Sequence, residues 1–107
     1  MVKDSMGALE QELLAERVAT LARIAARFDA ALAAWEALES GQLPPLSSLQ
    51  AQLDRRLELR DAAAEALWML LVQRECIGLR DHRSVLEQAP PEIRLRVGAR
   101  RRRSARA

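Results

Sequence analysis

The residues best suited to do chemistry are gathered between positions 73 and 82. This stretch holds acids, bases and amides next to the most apolar segment of the chain: Gln73, Arg74, Glu75, Arg80 and Asp81. Such a group is typical of a ligand pocket or of an ion-pair network that joins neighbouring helices. We interpret it as a structural polar cluster, because ion-pair networks commonly occupy such sites.

Cys76 and His82 stand in the same stretch and could in principle form a thiol or metal site. A reactive thiol needs a neighbouring base and electropositive surroundings, and a zinc site needs three or four nitrogen, sulfur or oxygen ligands. The chain holds one Cys and one His, with no second His at helical spacing. The sequence therefore predicts no metal, no cofactor and no catalytic residue, with Cys76 as inert packing.

The C-terminal residues are the second group whose side chains could bind a ligand. Residues 100–107 contain five Arg and no acid, whereas residues 1–99 contain 12 basic and 15 acidic side chains. A run of guanidinium groups can contact phosphates in a salt-dependent way, but no aromatic residues are interleaved with them. The candidates for phosphate contact are Arg100, Arg101, Arg102 and Arg103.

The first element that positions these groups is a predicted helix from about Met6 to Glu39. Apolar residues recur there at 4-3-4-3-4-3 spacing, which indicates a heptad seam on a long amphipathic helix. Flanking Leu and Ala residues widen the seam into a broad apolar face. The seam consists of Leu14, Val18, Leu21, Ala25, Phe28, Leu32 and Trp35. All of these except Ala25 are candidates for a dimer or core interface.

A break at residues 40–47, which contains Gly41 and Pro44-Pro45, precedes a second predicted helix, Ser48 to Ile77. Within that helix, residues 66–72 are apolar on every side, and a helix of this kind must be buried on every side. One antiparallel neighbour covers a single side, so the segment indicates a dimer or a C-terminal cover. Its candidate interface residues are Leu67, Trp68 and Leu71.

Beyond Gly78 the sequence predicts two short helices and a tail. Asp81 is placed to cap a helix that ends at Gln88, and Pro91 suits the first position of a helix over 92–97 that Gly98 ends. Residues 99–107 have no apolar face and are predicted to be a disordered basic tail. The domain is accordingly placed at residues 1–98.

A short connection makes the two long helices antiparallel neighbours. With the turn centred near residue 44, the predicted register sets Glu16 beside Arg74, which adds Glu16 to the polar cluster. The same register pairs Glu12 with Arg74, Arg17 with Glu75, Arg27 with Asp61, and Asp29 with Arg60.

The segment Val72-Gln73-Arg74-Glu75-Cys76-Ile77-Gly78-Leu79-Arg80-Asp81, together with residues 13–17 and a Pro91, Arg96, Gly98 ending, resembles a group of short bacterial proteins of unknown function. The likeness covers most of residues 9–98 and omits the Arg-rich end. It implies an all-helical cytosolic protein without assigned activity, and supplies no catalytic residues.

The sequence as a whole predicts an all-α protein, a long antiparallel helical hairpin with two short C-terminal helices, which pairs as a homodimer into a four-helix bundle. A single cysteine, no signal peptide and no membrane span favour the cytoplasm. We expect a non-enzymatic structural or protein-interaction module. One alternative is weak nucleic-acid association through the tail. The other is a helical-bundle enzyme with a pocket lined by Arg56 or Arg60.

Overall fold

The computed structural model describes the backbone of residues 2–106 and the side chains of residues 7–99 and 101. The chain is all-helical over this range, in the order α1 (Val2–Glu39), α2 (Leu49–Cys76), α3 (Arg83–Gln88) and α4 (Pro91–Arg106). The all-α prediction is confirmed, and so is the pair of long helices that pack against each other.

The ends of α1 and α2 follow local backbone chemistry that the sequence predicts. Gly41 and Gly78 both have positive φ, the conformation that favours glycine after a helix end. At the end of α2, the Leu79 amide donates to the Arg74 carbonyl at 2.8 Å and the Gly78 amide donates to the Glu75 carbonyl at 3.0 Å. This pair of bonds is the Schellman motif.

The start of α2 is capped by Ser48, whose hydroxyl accepts a hydrogen bond from the Ala51 amide at 3.1 Å. The preceding loop then runs back along the first turns of α2. Gln52 Nε2 donates to the Leu46 carbonyl at 2.9 Å, and Arg55 Nη1 donates to the Pro44 carbonyl at 3.0 Å. The first two turns of α2 are thus occupied by the loop instead of by α1.

This loop packing shifts the register of the two long helices. Glu39, the last residue of α1, forms an ion pair with Arg56, whereas pairing by equal distance from the turn would set it beside Leu49. Arg56 also lies over Trp35, so the shift is between about three and seven residues, one to two helical turns. As a consequence α1 extends past the end of α2, and residues 7–18 of α1 are almost entirely exposed.

The core lies where α1, α2 and the C-terminal helices meet. Phe28 and Leu67 are 1 % and 0 % exposed, and Ile93 of α4 is fully buried against them. The apolar segment 66–72 is therefore enclosed by α1 on one side and by the C-terminal helices on the other, within one chain. The buried core consists of Phe28, Leu32, Trp35, Ala63, Ala64, Ala66, Leu67, Leu70, Leu71, Val85, Ala89, Ile93 and Val97.

The C-terminal helices differ from their predicted bounds at one end. α3 ends at Gln88 and α4 starts at Pro91, both as predicted, but α4 continues through Gly98 to Arg106. The predicted helix end at Gly98 is wrong, because a glycine in a helix costs only about 1 kcal/mol and the following Ala and Arg residues favour helix. The division into a domain at 1–98 and a tail stays a prediction.

Candidate interaction surfaces

Two polar groups and one apolar surface are the candidate functional features of the fold. The first polar group is built at the C-terminal end of α2, where the last turn, the loop after it and α4 converge. Arg74 Nε donates to His82 Nδ1 at 3.1 Å, and Arg74 Nη2 donates to the Asp81 carbonyl at 2.8 Å. Because Nδ1 accepts, the ring proton of neutral His82 lies on Nε2.

His82 Nε2 in turn donates to Glu75 Oε1 at 3.1 Å, and Arg101 Nη2 donates to the same oxygen at 2.8 Å. These donors, Arg101 before His82, hold the pKa of the Glu75 carboxyl below its usual value. Nearby, Arg83 holds the pKa of Asp81 below its usual value through its side-chain hydrogen bonds. The group therefore ties α4 and the loop before α3 to the end of α2.

The predicted polar cluster is thus assembled only in part. Arg74, Glu75 and Asp81 belong to it, whereas Glu16 is exposed on α1, and Arg80 is exposed with no hydrogen bond in the described part of the chain. Sequence reasoning did not place His82 in the network, and it set Arg101 aside as a phosphate contact. A lone His in the loop that follows a helix end carries little signal in a single sequence.

The predicted helix-to-helix ion pairs are wrong. Asp61 accepts from Arg60 and from Arg96 of α4, at 2.9 and 3.0 Å. Glu75 is likewise bound by His82 and Arg101. The register shift removes the predicted partners on α1, and α4 and the loop before α3 supply others.

The second polar group centres on Arg56, which joins three helices. Its guanidinium forms ion pairs with Glu39 of α1 and Glu92 of α4, and lies 4.7 Å from the centroid of the Trp35 ring. These contacts, led by the hydrogen bond to Glu39, raise the pKa of Arg56. An open groove of about 420 Å³ runs beside it, lined by Trp35, Glu36, Glu39, Arg56, Pro90, Pro91 and Glu92.

The enzyme alternative requires a pocket in which Arg56 or Arg60 is available to bind a substrate. Arg56 is occupied by two carboxylates and Arg60 by Asp61, so both guanidinium groups already have anionic partners. Among the described residues no group of three or more His, Cys, Asp or Glu could hold a metal ion. Cys76 is exposed, so the prediction that it packs in the core is wrong.

The apolar surface lies on the part of α1 that extends past α2. Leu9, Leu13, Leu14 and Val18 are each between 51 and 59 % exposed. We call these four residues the overhang surface. A set of large apolar side chains close together on one exposed helix segment is typical of a protein-interaction site.

The nine predicted interface residues divide between this surface and the core. Leu14 and Val18 are exposed, Leu21 and Trp68 are partly buried against the core, and the others are buried within the chain: Phe28, Leu32, Trp35, Leu67 and Leu71. Most of the broad face that indicated a dimer is therefore covered by the chain's own α2, α3 and α4.

Within the Arg-rich end, residues 100–107, the structure describes one side chain, that of Arg101. Arg101 is half-buried and bound to Glu75, while the side chains of Arg100, Arg102 and Arg103 lie outside the described residues. None of the helices within residues 2–106 is long and apolar enough to cross a membrane.

No protein-family model, curated protein or solved structure matches this chain. The resemblance to short bacterial proteins stays a prediction, and the function has to be argued from the surfaces themselves.

Proposed function

We propose that this protein is a non-enzymatic protein-interaction module that acts as a homodimer, and that α1 provides the contact. The observation that carries this proposal is the exposure of all four residues of the overhang surface, on a helix that extends past its intramolecular partner. Burial of a fully exposed Leu or Val side chain contributes about 1.5–3 kcal/mol, and these side chains, about half exposed, contribute correspondingly less each. Two copies that pair through α1 cover part of this surface and form a four-helix arrangement of α1 and α2 from each chain.

The direct test is the mass in solution, by light scattering during gel filtration at low micromolar concentration. We expect a mass of twice the chain, and a monomer for the double variant Leu9→Asp/Leu13→Asp, which places two charges on the surface. The matched control is Leu95→Asp, because Leu95 of α4 is 72 % exposed and lies outside the overhang surface.

The outcomes separate the alternatives. A wild-type chain that stays monomeric at 100 µM contradicts the homodimer. A dimer that survives Leu9→Asp/Leu13→Asp but is lost in Leu95→Asp would move the contact from α1 to α4. Circular dichroism of each variant checks that the helices remain, since Asp is a weaker helix former than Leu.

A second candidate function is weak nucleic-acid association through the Arg-rich end. It is supported by the helical backbone of α4 through Arg106, which would present a basic segment as an extension of the fold. The test compares the full chain with one that ends at Ala99, in binding to a random-sequence duplex at 50 and 200 mM salt. Binding through this segment must disappear in the shortened chain and must weaken at the higher salt.

A further inference from the structure

One exposed side of α1 carries charges in an order that suits a particular partner. Glu12, Glu16, Arg23 and Arg27 follow one another at spacings of 4, 7 and 4 residues, so they lie on one side of the helix. All four are exposed. The two acids come first along the chain and the two bases second.

These charges have no oppositely charged partner within the described part of the chain. Arg23 Nη2 donates only to the Thr20 hydroxyl, at 3.0 Å. Arg27 lies beside a shallow groove that Glu65 also lines, without an ion pair between them. Within α1 itself Glu12 is followed by Glu16 at i+4, and Arg23 by Arg27 at i+4, and like charges at this spacing destabilise a helix.

This side of α1 is also free of the core. The buried residues Phe28, Leu32 and Trp35 face α2. At 3.6 residues per turn the charged side lies about 130° around the helix from that core stripe. A helix that packs on it therefore does not compete with α2.

The geometry points to a second copy of this chain as the partner, with the two α1 helices packed antiparallel about a two-fold axis between residues 19 and 20. This inference rests on the proposed homodimer and assigns its orientation. In this register Glu12 faces Arg27 of the second copy and Glu16 faces Arg23 of the second copy, and the symmetry repeats both pairs. A parallel pairing would set each acid against the same acid and each base against the same base.

The apolar residues of the same side agree with this register. Leu9 is set against Ala30 of the second copy, and both positions are exposed, while Leu13 lies at the edge of the contact. A leucine opposite an alanine lets the two helix axes approach closely while the leucine is covered. Leu14 and Val18 lie outside this contact, towards the core side of α1.

Charge exchange within α1 tests the orientation. The three variants are Glu12→Arg/Glu16→Arg, Arg23→Glu/Arg27→Glu and the quadruple combination, with dissociation constants measured by analytical ultracentrifugation at 50 mM salt. We expect each double variant to dimerise at least about tenfold more weakly, and the quadruple variant to recover to within about threefold of the wild type. Glu and Arg have similar helix propensities, so the helices are retained.

A distance measurement gives an independent reading of the same dimer. Ala33 is exposed on α1, and the exposed Cys76 is removed as Cys76→Ser. Spin labels at Ala33→Cys should lie about 40 Å apart in the antiparallel dimer, at 1.5 Å per residue, and within about 20 Å in a parallel one.

These results test the homodimer and its antiparallel orientation separately. A dimer whose labels lie within about 20 Å, or whose double charge variants dimerise as well as the wild type, overturns the antiparallel pairing and leaves the homodimer standing. A wild-type chain that is monomeric at 100 µM overturns both.

Discussion

The two halves of α1 share one apolar spacing and have opposite surroundings. In the second half, Phe28, Leu32 and Trp35 are buried against α2, whereas in the first half Leu14 and Val18 of the same seam are more than half exposed. The difference arises at the other end of the hairpin, where the loop occupies the first turns of α2 and shifts the register. A heptad seam therefore specifies which side of a helix is apolar, and the position of its neighbour decides how much of that side is covered.

Truncation of a seam residue in each half should show the contrast most strongly. Phe28→Ala is expected to lower the free energy of unfolding by about 3–5 kcal/mol, because it opens a cavity in the core. Leu14→Ala should change it by less than about 0.5 kcal/mol when the protein is dilute enough to be monomeric. Urea denaturation measures both, and equal losses would contradict the division of α1 into a packed and an unpacked half.

The packed half is held at its end by Arg56, which joins Glu39, Glu92 and Trp35. These contacts are partly exposed, so Arg56→Ala should cost about 1 kcal/mol in unfolding free energy, as the sum of two surface ion pairs and one cation–π contact. Arg80→Ala is the matched control, since Arg80 is an exposed arginine without such contacts in the described chain. A loss no greater than that of the control would show that the Arg56 contacts are not maintained in solution.

The unpacked half should respond to helix propensity rather than to packing. Gly7 lies inside α1, and a methyl group added at its Cα would meet no other part of the chain within 4 Å. Gly7→Ala should therefore stabilise the first turns of α1 by up to about 1 kcal/mol. The expected effect is slower amide hydrogen exchange over residues 8–18 with almost no change in global unfolding, because this segment opens on its own. Gly41→Ala is the opposite control: its φ of +73° makes alanine strained there.

Acid should loosen the end of α2, beyond which α1 extends without a neighbour. The folded-state pKa of Glu75 is lowered, chiefly by Arg101. As the pH falls, the unfolded chain therefore binds more protons than the folded chain does. The stabilisation is complete above the unfolded pKa of about 4.3 and is lost as the pH falls through the lower folded value. Because the carboxylate is 35 % exposed, we expect less than about 1 kcal/mol.

Glu75→Gln should therefore reduce the loss of unfolding free energy between about pH 5 and pH 3. Glu58→Gln is the control, because Glu58 is exposed on the same helix and forms no ion pair within the described residues. Identical pH profiles for wild type and Glu75→Gln would contradict the role of this carboxylate in holding α4.

Much of the fold could be predicted because it depends on nearby residues. Gly41 and Gly78 end their helices through positive φ, and Pro91 starts α4. Ser47 with Gln50 and the adjacent Ser48 were both possible caps of α2, and the structure selects Ser48. The extent of α4 was not predictable in the same way, because Gly98 is a weak stop signal that its helix-forming neighbours outweigh. Of the candidate surfaces, Leu14 and Val18 could be found from the seam and Leu13 from the apolar residues that flank it, but Leu9 became visible only through its exposure in the fold.

The sequence by itself determined the helices, their apolar sides and the order of charges along α1, since each depends on residue type and on the fixed period of 3.6 residues. Only the tertiary structure decided the register of α1 on α2 and the burial of segment 66–72 by the chain's own C-terminal helices. It also decided the partners of Asp61 and Glu75. The physical reason is that these features depend on contacts between residues far apart in the chain. A loop of nine residues can move one helix by one to two turns along the other without changing any local pattern.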